Sequence, residues 1–173
     1  TLEAVITDGL RSLARTMPGV PNMEEKTLRY PGHYALMRVF RATGLFGKEP
    51  IDVRGASVSP LDVVSALMFP KWTYEPGEED LTVMRVIVEG VRAGKRVRVV
   101  QDLFDVFDRQ SGATSMARTT GLPCTAVARM ILAGGVRGPG VLAPEHLGAH
   151  DGVLHAVLAE LETKGVRYST SVE

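Results

Sequence analysis

The chain has 173 residues, of which 45% are hydrophobic and 23% charged, the balance of an ordinary globular protein and not of a disordered one. Twenty basic residues against twenty acidic ones leave no net charge. Electrostatics therefore gives no case for a nucleic-acid or membrane-surface partner, and no apolar run nears the roughly 20 residues of a membrane span.

The length suits one domain, residues 1–173, with a sizeable core. The single cysteine, Cys124, cannot form an internal disulfide, which fits a reducing, cytoplasmic setting. Its neighbours Leu122, Pro123, Ala126 and Val127 are apolar, so it is expected to be a buried small hydrophobe and not a nucleophile. The chain starts without Met and runs at once into the apolar stretch Ala4-Val5-Ile6. A piece cut from a longer protein is expected.

Ala4–Ile6 has strand propensity. Thr7 or Asp8 is expected to cap a helix from Leu10 to about Thr16. Pro18 to Asn22 is a turn, and Met23 to Tyr30 a second strand. Pro31 is expected to set the first turn of a helix that carries Leu36, Val39 and Phe40 inward and ends at Gly44. Phe46 to Ser57 is rich in Gly and charge, and is expected to be loop with a short strand at Ile51–Val53. Ser59-Pro60 has the form of a cap and first helical residue, opening a helix that Pro70 should stop.

Leu81 to Glu89 is full of β-branched residues, Gly90 to Gly94 has turn composition, and Arg96 to Phe104 alternates sharply. This is the clearest antiparallel hairpin. Arg96 and Arg98 share a face that is either wet or meets acids such as Glu89. Ser115 to Thr120 and Pro123 to Ala133 have the pattern of two helices broken at Gly121-Leu122-Pro123, the second capped by Gly134-Gly135. A last helix starts at His150 or Asp151, with Leu154, Val157, Leu158 and Leu161 on one stripe and Gly165 as its stop. Val166 to Thr170 is expected to close the chain as a strand. Strands and helices mix without strict alternation, so the expected fold is α+β: a mixed, largely antiparallel sheet with helices on one face. The apolar-rich hairpin suggests that the other face is buried between two copies.

Most familiar chemistry is missing. No glycine-rich segment follows a strand and opens a helix with phosphate-binding spacing. His146 and His150 stand four apart, but with Gly148 between them they are expected to be loop and cap residues, not metal ligands. Asp102, Asp105 and Asp108 do not share a helical face, and no metal site is expected of them. The acid runs Glu24-Glu25 and Glu78-Glu79-Asp80 are expected to be solvated. The candidates are the two strand-to-helix junctions. Thr7, Asp8 and Gly9 offer a hydroxyl, a carboxylate and open backbone. Lys26, Thr27, Arg29, Tyr30 and His33 offer cations and donors. A carboxylate-bearing amine held between Asp8 and Arg29 would satisfy both charges. Alternatively, Lys26 and Arg29 serve structure by pairing with Glu24, Glu25 or Asp8.

The block Lys26-Thr27-Leu28-Arg29-Tyr30-Pro31-Gly32-His33 resembles the signature after the substrate-contacting strand in saccharopine dehydrogenase-like oxidoreductases. Thr7-Asp8-Gly9-Leu10 is similar to the same family upstream. So are the segment from Gly77 to Val86, the segment from Gly112 to Gly121, and Gly140-Val141-Leu142-Ala143-Pro144-Glu145. The blocks keep the family's order over nearly the whole chain. The likeness is to the second domain, which contributes substrate contacts and the dimer interface. A preceding Rossmann domain binds NAD or NADP in full-length members. The resemblance thus implies hydride transfer at a C–N bond of an amino acid or polyamine, with no cofactor held by these residues and the catalytic residues elsewhere. It implies substrate contacts around Thr7, Asp8 and Gly9 and a homodimer through the sheet. The alternative is a non-catalytic dimeric interaction or regulatory domain that keeps the fold.

Overall fold

The computed structural model describes all residues, Thr1–Glu173. They form two compact units, Thr1–Gly77 and Glu78–Glu173. The fold is α+β, as expected, and its strands form three antiparallel sheets.

In the first unit, strand β1 (Glu3–Ile6) pairs antiparallel with β2 (Lys26–Arg29), from Glu3 opposite Arg29 to Ile6 opposite Lys26. Between them lies helix α1, Leu13–Thr16. It begins later than Leu10, and neither Thr7 nor Asp8 caps it. The residue before it is Ser12, whose side chain does not cap the helix, and both expected caps have other partners, described below. Helix α2 (His33–Ala42) follows Gly32, so Pro31 lies outside it and does not set its first residue. At its far end the Leu45 N–H reaches back to the Phe40 carbonyl at 2.9 Å.

Strand β3 (Ile51–Val53) pairs with β4 (Ala56–Val58), a strand the loop-like composition concealed. Arg54 and Gly55 connect them with φ of 54° and 85°, the tight turn whose twist matches a hairpin. Helix α3 (Pro60–Trp72) opens as expected on Ser59, whose hydroxyl accepts the Asp62 N–H at 3.4 Å. Pro70 does not stop it. The ring removes one amide from the last turn, and the Thr73 hydroxyl bonds the Phe69 carbonyl at 3.0 Å, so the helix runs on to Trp72. No side chain in this unit is fully buried.

The second unit is a three-stranded sheet with helices on one face. Strand β5 (Leu81–Arg92) and strand β6 (Lys95–Val106) pair over their whole length. Their turn is only Ala93-Gly94, with φ of 52° and 78°, so Gly90, Val91 and Arg92 are strand and not turn. Strand β7 (Tyr168–Val172) pairs with the other edge of β6, giving the order β5-β6-β7. Helix α4 spans Ser115–Leu132 and helix α5 spans Val153–Thr163. A short 3-10 turn, Pro144–Ala149, precedes α5 and holds His146. Leu103, Leu161 and Val166 form the buried centre, with Leu122, Val157 and Tyr168 packed against it.

Helix α4 is one helix where two were expected, with Pro123 inside it. A mid-helix proline leaves the carbonyl four residues earlier without its donor and costs about 3 kcal/mol. Fixed points on both sides of the break offset that cost. Ser115 is fully buried and bonds Thr82, while Ala126 is fully buried one turn past the proline. Cys124 is exposed, correcting the expected burial. It points away from the side on which Leu122 and Ala126 pack, so its apolar sequence neighbours misled.

The acid run before β5 is not simply solvated. Asp80 accepts the Ser115 and Met116 N–H groups at 2.6 and 2.8 Å, capping α4 from a distant part of the chain. Glu79 holds Arg109 through paired hydrogen bonds of 2.7 and 3.1 Å. Asp102, Asp105 and Asp108 are ion-pair residues. Arg85 takes Asp102, and Arg118 on α4 takes both Asp105 and Asp108. Arg98 meets Glu89 at 3.1 Å, as the shared face suggested. No helix is long and apolar enough to cross a membrane.

Candidate functional site

In an antiparallel pair, residues directly opposite each other share a face, and so do residues two apart. The β1–β2 register therefore puts Glu3, Val5, Thr27 and Arg29 on one face, with Thr7 and Glu25 continuing it past the last pair. Ala4, Ile6, Lys26 and Leu28 lie on the other. One face of this ribbon is thus polar, and it carries three of the expected residues: Thr7, Thr27 and Arg29.

Glu25 is the centre of that face. Its Oε2 accepts the Thr7 hydroxyl at 2.5 Å and the Gly9 N–H at 3.2 Å, and its Oε1 accepts the Thr27 hydroxyl at 2.9 Å. The Thr7 hydrogen bond is the largest influence on the Glu25 carboxyl and draws its pKa below the ordinary 4.5. Desolvation opposes it, and the Thr27 and Gly9 contacts assist it. Each threonine hydroxyl has one proton, and both protons point at the carboxylate. The two hydroxyl oxygens, 3.0 Å apart, are left as acceptors. The result is a compact set of oxygens around one negative charge, suited to a cation with several N–H donors.

Gly9 makes this possible. A Cβ placed on it would lie 2.4 Å from Glu25 Cδ and 2.6 Å from Cγ, inside contact distance. A residue with a side chain at position 9 would push the carboxylate off the Gly9 amide.

The remaining expected residues divide. Asp8 is bound by Arg11 at 2.8 Å on an open surface, so it does not face Arg29. Lys26 pairs with Glu24 at 2.7 Å on the ribbon's other face, which is the structural alternative for that residue. Arg29 pairs with none of the acids considered for it. It is exposed, opposite Glu3, and its Nη1 donates to the Leu28 carbonyl at 2.8 Å. Tyr30 is exposed at 78%. His33 begins α2 and stands edge-on to Tyr34, ring centres 5.4 Å apart. Tyr34 in turn donates to the Thr27 carbonyl at 2.9 Å, fixing β2 against α2. Glu3 Oε1 accepts the Gly32 N–H at 2.9 Å, while its buried Oε2 has no hydrogen-bond partner.

Glu25 was missed because it sits in a two-acid run. The signal that could have found it is positional. Once β1 and β2 are paired, Glu25 is the next rung opposite Thr7 and lies two residues from Thr27.

The sequence matches the family described as saccharopine dehydrogenase C-terminal domain over residues 4–166. It is 35% identical over 105 residues, 60% of this chain, to saccharopine dehydrogenase [NADP(+), L-glutamate-forming] of Schizosaccharomyces pombe. It is 32% identical over 129 residues, 73% of this chain, to the mitochondrial alpha-aminoadipic semialdehyde synthase of Bos taurus. The matched region covers 22% of the first protein and 13% of the second.

Proposed function

Since the chain belongs to the saccharopine dehydrogenase C-terminal domain family, we propose that it is the substrate-binding and dimerisation domain of an NAD(P)-dependent oxidoreductase. The reaction is hydride transfer at the C–N bond of an amino acid, a saccharopine or lysine-like amine. The names of the two relatives support an oxidoreductase of lysine metabolism. The nicotinamide cofactor, held by another part of the full-length enzyme, supplies the hydride acceptor. The exposed single thiol fits a reducing, cytoplasmic setting.

The observation that carries this reading is the Glu25 cluster with Arg29 on the same ribbon face. The substrate ammonium sits on the Glu25 carboxylate and the Thr7 and Thr27 oxygens. A substrate carboxylate pairs with the Arg29 guanidinium, which is planar and suited to two parallel hydrogen bonds. Glu25 takes the place that sequence reasoning gave to Asp8. Glu25 and Arg29 are four residues apart along an extended chain, about 13 Å between Cα atoms. An amine several bonds from its carboxylate spans that gap better than an amine and carboxylate on one carbon. His33 and Tyr30 flank the Arg29 end, and Gly9 keeps the Glu25 end open to backbone contact.

The test is steady-state oxidation of lysine and of saccharopine by the full-length enzyme with NAD+ and with NADP+. Glu25→Gln should raise KM for the amine by about tenfold or more. No oxidation of either compound with either cofactor would overturn the reading in favour of a non-catalytic domain.

A further inference from the structure

Strand β5 is the outer strand of its sheet, and no other strand pairs with its free edge. It runs from Leu81 to Arg92 without a proline. Its side chains are exposed on both faces. Val83, Ile87 and Val91 are exposed on the face away from the helices, and Val86 and Val88 on the face where α4 and α5 lie. Helix α4 meets β5 at Thr82, which bonds Ser115, and further along the strand Val88 is exposed at 61% and Val91 at 72%. A long apolar edge of this kind is a template for another strand.

We propose that this edge pairs with the same edge of a second copy of the chain, antiparallel, with Ile87 opposite Ile87 at the two-fold axis. The inference rests on the dimerisation reading above, but moves the contact from the open sheet face expected of the sequence to the β5 edge, and names its register. The argument is the order of charges along the strand. With Ile87 on the axis, Arg85 of each copy stands opposite Glu89 of the other, Val83 opposite Val91, and Val86 opposite Val88. Within one copy Glu173, Arg98 and Glu89 already form a row across the sheet, with contacts of 3.0 and 3.1 Å. Arg85 and Asp102 form another, joined by two hydrogen bonds of 2.6 and 2.9 Å. The pairing joins these rows end to end. The sequence across the joined sheet is then Glu173, Arg98, Glu89, the second copy's Arg85 and its Asp102, with signs alternating throughout.

Other registers lose this. A shift of two residues sets Arg85 opposite Ile87 or Val91. A shift of four sets Arg85 against Arg85 or Glu89 against Glu89. An odd shift turns one copy over and puts the open apolar face beside the helical one. The two charges that would deter a random strand therefore select one partner in one register.

The test uses the 173-residue chain and its light-scattering mass as a function of concentration. Arg85→Glu alone and Glu89→Arg alone each set like charges opposite at both ends of the contact. Each should weaken self-association by about tenfold or more. An equimolar mixture of the two variants restores opposite charges in both positions and should dimerise again. A wild-type monomer would overturn dimerisation and this proposal together. A wild-type dimer that both single variants keep would leave dimerisation standing and overturn the β5 edge. If circular dichroism shows either variant unfolded, Ile87→Cys in a Cys124→Ser background decides. Mild oxidation should link two chains through position 87, and failure to link them would overturn the register.

Discussion

The Thr7 hydroxyl lies 2.5 Å from the Glu25 carboxylate and holds it in its ionised form. The folded pKa of Glu25 is therefore lower than its unfolded one. A group of this kind stabilises the fold above its unfolded value, near 4.5, and loses that contribution as pH falls through the folded value. Glu25→Gln removes the titration. Thermal melts of both proteins between about pH 3 and pH 7 should show the wild type ahead at neutral pH, with the gap closing as the solution is acidified below 4.5. A gap that is constant across the range would count against the assignment.

Gly9→Ala should act through Glu25 and not through the backbone. The new methyl group occupies the space of the Glu25 side chain, which must swing away. Binding of a lysine-like amine should weaken, while in a Glu25→Ala background the same substitution should have little further effect. A double-mutant cycle on ligand-induced melting shifts measures that coupling.

Arg118→Ala should be the most destabilising of the single changes considered. Arg118 and Asp105 are nearly buried, with side-chain exposures of 12% and 5%. Arg118 also reaches Asp108 and the Lys164 carbonyl. Removing it leaves Asp105 charged and covered, a loss of roughly 3–5 kcal/mol by the behaviour of broken buried pairs. Urea unfolding followed by circular dichroism gives the value. A loss under about 1 kcal/mol would mean that Asp105 finds another partner or water.

Asp80→Ala should cost about 1–2 kcal/mol, because the two amides that open α4 lose their acceptor. Asp80→Asn should cost less, since the amide oxygen keeps one of the two bonds. Equilibrium unfolding of the two variants, read as their order, checks the capping role.

Much of the second unit was legible because its signals are local. The alternation of Arg96 to Val99 marks a strand, and the stripe of Leu154, Val157, Leu158 and Leu161 marks a helix. What stayed hidden depends on residues far apart in sequence. Asp80 caps a helix that begins at Ser115, and no local pattern around Asp80 says so. Pro123 has the local signature of a helix breaker, whereas the anchoring of Ser115 and Ala126 that offsets its cost is tertiary. Cys124 took its expected burial from its chain neighbours, although a helix sends adjacent residues to different sides. At the candidate site, Thr7, Gly9 and Thr27 could be named from the sequence alone. Glu25 could not, because its role exists only when β1 lies beside β2. Asp8 seemed the better acid, but Arg11, one turn along, had already taken it.

The absence of any fully buried side chain from Thr1–Gly77 has a kinetic consequence. Backbone amides there are guarded by short ribbons and helices without a sealed interior, so they open by small local fluctuations. Amides of β6 near Leu103, in the sealed part of the second unit, open only when that unit unfolds. In heavy water the molecule should therefore exchange its protons in two populations, and a ligand seated on Glu25 would reveal itself by slowing the faster one.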